Sequence, residues 1–115
     1  MSKEDAIKMG LVQIHAMLDH VQDLGEEVIA KWAQAKELHA GHPLRKVLHK
    51  EMEEMSNQGI EMVFKASLLA SALCATLNDL REKNAVLHDV MKKLSHSYSK
   101  LCKMGECTDA LSKEL

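Results

Sequence analysis

The sequence predicts an all-α fold: an antiparallel bundle of three long helices in a single domain over residues 1–115, with dimerisation expected. Three observations carry this expectation. Apolar residues recur at alternating steps of four and three over long stretches, the period of a helix face and not of a strand. Glycine and proline, the punctuation that all-β chains need, number only five and one. A run of thirteen residues, Ala66 to Asn78, carries no charge although 28% of the chain is charged. A helix that is apolar on every side must be covered on every side. The run is shorter than the roughly 20 residues that span a bilayer. Other helices, from this chain or a second copy, are therefore expected to cover it.

Helix 1 is expected over about residues 3–39. Ser2 and Asp5 resemble a capping box, with Asp in place of the usual Glu. Ile7, Leu11, Ile14, Leu18, Val21, Gly25, Val28, Trp32, Ala35 and His39 then form a heptad seam. Met17, Leu24 and Ile29 broaden that seam into a bundle face. Gly25 lies on the seam at a cost of roughly 1 kcal/mol of helix propensity against Ala, which points to a close approach by a neighbouring helix. Ala40-Gly41-His42-Pro43 is the only strong break in the chain. Gly41 suits a helix end and Pro43 a helix start. So short a connection makes its flanking helices antiparallel neighbours.

Helix 2 is expected over about 43–79, with a seam of Leu48, Met52, Met55, Gly59, Met62, Ala66, Leu69, Leu73, Thr76 and Leu80. No Gly or Pro occurs between Ile60 and Met104, so the next turn has weak markers. Asn78, Asp79 and Asn84 place it between residues 78 and 84, and Asp79 to Glu82 resembles a second capping box. The heptad phase runs on through this turn, so one continuous helix from Pro43 to about Met104 is the rival. Helix 3 is expected over about 84–104, with Leu87, Val90, Met91, Leu94, Tyr98, Leu101 and Met104 inward and Gly105 as its stop.

Helix 2 carries a second row. Ile60, Phe64 and Leu68 are spaced four apart, and Ser71 and Ala75 continue the row. Helix 3 covers these five residues, or a second copy of the chain does, or both contribute. They are the candidate dimer or partner interface.

Chemistry-bearing motifs are sparse. Seven histidines are many for 115 residues, and His39, His42 and His49 cluster at the first turn. Imidazoles gathered by a turn can ligate a transition metal, which makes a metal-binding or metal-sensing bundle the alternative function. The Glu-x-x-His pairs of di-iron bundles do not occur. Cys74 is expected to be a buried, inert small hydrophobe; Cys102 and Cys107 are expected near a frayed terminus. Lys92, His96, Lys100 and Lys103 form a basic row, but Asp89 and Glu106 bracket it and no aromatic residues interleave for base stacking.

The charged segment Met1 to Asp5 is unlike a signal peptide. An odd number of cysteines suits a reducing compartment, and the cytoplasm is the expected location. Net charge is -2, which provides no overall field toward nucleic acid or acidic lipid. The functional expectation is a non-enzymatic protein–protein interaction module, an adaptor, chaperone or regulator. It would self-associate as a homodimer through apolar helix faces and bind another protein. No cofactor, nucleic acid or membrane is expected.

Overall fold

A computed structural model describes residues 2–115. Three helices follow one another: α1 (Lys3–Glu37), α2 (Pro43–Thr76) and α3 (Leu80–Lys113). They pack side by side into an up-down-up bundle measuring 58 × 23 × 16 Å, with no strand among the described residues. Each helix touches both others.

The helix ends follow local chemistry. Ser2 Oγ accepts from Asp5 N at 3.2 Å, so the expected cap opens α1. α1 ends at Glu37, two residues earlier than expected. Gly41 therefore lies within the turn and not at the helix terminus. It has φ +86°, a left-handed conformation that glycine adopts without steric cost. His42 caps α2, its Nδ1 accepting from Leu44 N at 3.1 Å, with Pro43 at the first helical position.

The second turn is tighter than expected. Leu77, Asn78 and Asp79 alone separate α2 from α3. Asp79 Oδ1 accepts from Arg81 N at 2.7 Å and from Glu82 N at 3.3 Å. Leu77, 3% exposed, anchors the turn in the core. The continuous-helix rival does not hold. Replacing Asp79 by Ala is expected to cost about 1 kcal/mol, the usual value of an N-cap side chain. Urea unfolding followed by circular dichroism checks this, and an unchanged midpoint would show that the cap is idle.

α3 departs most from expectation. It starts at Leu80 and runs through Gly105 to Lys113. Gly105 costs about 1 kcal/mol in a helix, but Cys107, Thr108 and Leu111 beyond it are all buried. Their packing outweighs the local penalty. Cys102 and Cys107 are thus within a packed helix.

The core has two parts. Ile14, Leu18, Val21, Val63, Ala66 and Val90 fill the end near the second turn. Val28, Leu48, Met52, Met104 and Leu111 fill the other. The seam of α1 holds closely from Ile14 to Ala35. That of α2 drifts: Val63, Ala70 and Leu77 are buried, Met62 and Leu69 are half-buried, and Thr76 and Leu80 are exposed. A straight helix slips about 20° per heptad against a strict seven-residue repeat, and α2 faces two neighbours. In α3, Met91 and Tyr98 point outward, 59% and 52% exposed, while Ser97 lies inside.

Two glycines allow close contact. A Cβ on Gly25 would overlap the methylenes of Lys100, which lies across α1 to reach Glu26 at 2.7 Å. A Cβ on Gly59 would sit 2.8 Å from Leu101 Cδ2. At the open end of the bundle the nearly buried Arg45 pairs with Glu114, fastening the last turn of α3 to the first of α2.

Candidate protein-interaction face

The row on α2 is not covered by α3. Ile60 is 56% exposed, Phe64 63% and Leu68 56%, and Ser71 and Ala75 are exposed beside them. Helix 3 covering these five residues is thereby excluded. α3 packs one step around the helix, against Gly59, Val63, Ala66 and Ala70. The antiparallel alignment brings Ser67 Oγ to 3.4 Å from Tyr98 OH.

Between the two helices runs a groove of about 670 Å³. Ser67, Ser71 and Cys74 form its α2 wall, and Met91, Ser95 and Tyr98 stand among the residues of its α3 wall. At 3.6 residues per turn, this side of α2 carries no charge from Asn57 to Asn78, nor does this side of α3 from Asn84 to Gly105. Charge returns toward the open end, with Lys46, Lys50 and Glu53 on α2 and Glu106 and Asp109 on α3. The groove and the Phe64 row thus form one uncharged surface, with large side chains standing beside small ones. Cys74, expected to be buried, is half-exposed in the groove wall.

The row gives α2 an unusual balance. By length and composition α2 is apolar enough to cross a membrane, yet only 28% of its most apolar 18-residue stretch is buried in the bundle. An ordinary core helix of this apolarity would be mostly covered.

The three turn histidines separate. His39 and His42 stack with ring centroids 5.1 Å apart. Each uses Nδ1 on the backbone, His39 donating to Ala40 O at 3.0 Å and His42 accepting from Leu44 N. His49 lies along α2, its Nδ1 3.9 Å from Glu53 Oε2. Among the described residues, no three His, Cys, Asp or Glu side chains are gathered in a way that holds a metal ion.

The basic row of α3 is tied to α1. Lys100 binds Glu26, and the adjacent Lys93 binds Asp19 at 2.8 Å. The hydrogen bond and charge of Lys100 hold the Glu26 carboxyl below its ordinary pKa. Burial pushes the Cys107 thiol up, away from the thiolate that cysteine chemistry uses. The groove itself is lined by hydroxyls, thiols and apolar side chains, and His88 and Lys92 stand in the depression that adjoins it at Leu87 and Met91.

Sequence reasoning identified the α2 half of this face and missed the α3 half. Met91 and Tyr98 look like core residues by spacing. The signal that separates them is Ser97, whose small side chain marks the true inner line one residue away. No protein-family model matches the chain, and no curated protein or solved structure is significantly similar to it.

Proposed function

We propose that this protein is a non-enzymatic interaction module, a helical bundle that presents the α2/α3 face to a protein partner and self-associates through it. One observation carries the reading: an uncharged face two helices wide on which Ile60, Phe64, Leu68, Met91 and Tyr98 are each more than half exposed. Contiguous apolar surface of this kind is rare on soluble monomers and marks interaction sites. Three free thiols fit work in a reducing compartment such as the cytoplasm.

A photo-crosslinking phenylalanine analogue at position 64 tests the reading in intact cells. Adducts with protein are expected from position 64 and not from the exposed position 12 on α1, away from this face. Equal yields from the two positions would refute an interaction face.

A further inference from the structure

Resting on that reading, we infer that the occupant of the α2/α3 face is a second copy of this chain, packed antiparallel about a two-fold axis perpendicular to the helices near Ser67 and Leu68.

The face is complementary to itself. It carries projecting side chains, with Phe64 and Leu68 foremost, beside a groove walled by Ser67, Ser71 and Ser95. A two-fold contact repeats each residue on both sides, so the row of one copy enters the groove of the other twice. A partner needing only a slot would leave the projecting row uncovered.

The area suffices. Five side chains, each more than half exposed and of roughly 200 Å², offer about 500–600 Å² per copy. The small residues between them raise this toward the roughly 800 Å² that each side of a stable interface contributes.

Charge fixes the orientation. The uncharged stretch from Asn57 to Asn78 is about 32 Å long at 1.5 Å per residue, and the second turn bounds it at one end. A parallel pairing would stack the charged segment holding Lys46, Lys50, Glu53 and Asp109 against the partner and strip it of water. Desolvated charges are costly unless well paired. The antiparallel pairing overlaps uncharged face with uncharged face, with Glu106 alone at the edge of the overlap on α3. Each charged end then projects past the partner's Leu77–Asp79 turn into solvent. A lipid surface fits less well: membrane-lying helices are flanked by Lys and Arg, whereas this row is flanked by the mixed pair Glu61–Lys65.

Light scattering on the full chain tests the inference. The expected mass at micromolar concentration is twice 12.9 kDa, falling on dilution. Phe64→Glu is expected to weaken association roughly 100-fold, as for a central interface residue, with helical circular dichroism retained because Phe64 is outside the core. Met91→Lys serves as the second variant should Phe64→Glu misfold, and has the same expected effect. Lys46→Glu, outside the overlap, is expected to leave the dimer intact. A wild-type mass of 12.9 kDa throughout, or variants that dimerise like wild type, would overturn the inference. So would a monomer that floats with neutral phosphatidylcholine vesicles. If position 64 crosslinks only to other proteins, the second copy and self-association through this face are refuted, while the face as a site for a protein partner stands.

Discussion

Leu111→Ala is expected to cost about 2–5 kcal/mol, the range for truncating a buried leucine. Leu115→Ala is expected to change stability by less than about 0.5 kcal/mol. Leu111 is fully buried, in the cluster with Met52 and Met104, whereas Leu115 is 50% exposed. The two residues lie four apart at the end of the chain, beyond a glycine that reads as a helix stop. A frayed terminus would give two small, equal effects. Urea unfolding of both variants decides between a packed and a frayed end, since a domain of this kind has only about 5–15 kcal/mol of total stability. The Arg45–Glu114 pair contributes to the same end, closing the last turn over Leu111. That Arg is nearly buried while its partner is half-exposed, so the pair positions the helix end more than it stabilises it.

The parts of the fold that were legible in the sequence are those fixed by local pattern. The α1 seam from Ile14 to Ala35 was readable because one helix face meets the rest of the bundle with a steady period. The first turn was readable because Gly41 and Pro43 have no other use there. The extension of α3 was not. Gly105 carries a real local penalty, and only the buried contacts of Cys107, Thr108 and Leu111, on helices distant in sequence, overcome it. The outward rotation of Met91 and Tyr98 was hidden for a similar reason. Both are apolar and at seam spacing, and only the position of α3 against Gly59 and Val63 decides which side of the helix faces inward.

The candidate face was half legible. Ile60, Phe64 and Leu68 stand out because they lie off the seam that the rest of α2 follows. No element of this bundle covers them. The histidine cluster illustrates the opposite case. Proximity in sequence suggested a shared site, yet His39 and His42 are occupied in shaping the turn and His49 belongs to the next stretch of helix. Spacing across a turn did not transmit position here, because His49 lies a further turn along α2 while His39 and His42 stay at the turn.

The most damaging single change is expected at Ile14. Ile14→Asn removes a fully buried side chain worth about 1.5–3 kcal/mol of burial. It also leaves a cavity among Leu18, Val63, Ala66 and Val90. The new amide, facing apolar neighbours on all sides, adds about 1–3 kcal/mol for an unsatisfied polar group. Together the two terms come to about 2.5–6 kcal/mol before the cavity is counted, enough to bring a domain at the lower end of the usual range to the edge of unfolding. Val12→Asn, two residues earlier, is the matched control. Val12 is 68% exposed and its replacement is expected to fall within about 0.5 kcal/mol. Thermal unfolding of the pair separates inner from outer face on α1, and similar melting temperatures would refute the packing of α1 described above. The comparison with Phe64 completes the logic. Phe64→Glu puts a full charge on a larger apolar residue, yet it should leave the monomer folded, because Phe64 lies outside the core that Ile14 fills. If Ile14→Asn unfolds the chain while Phe64→Glu alters only its association, stability resides in the inner seams and the outer row of α2 is reserved for contact with another molecule.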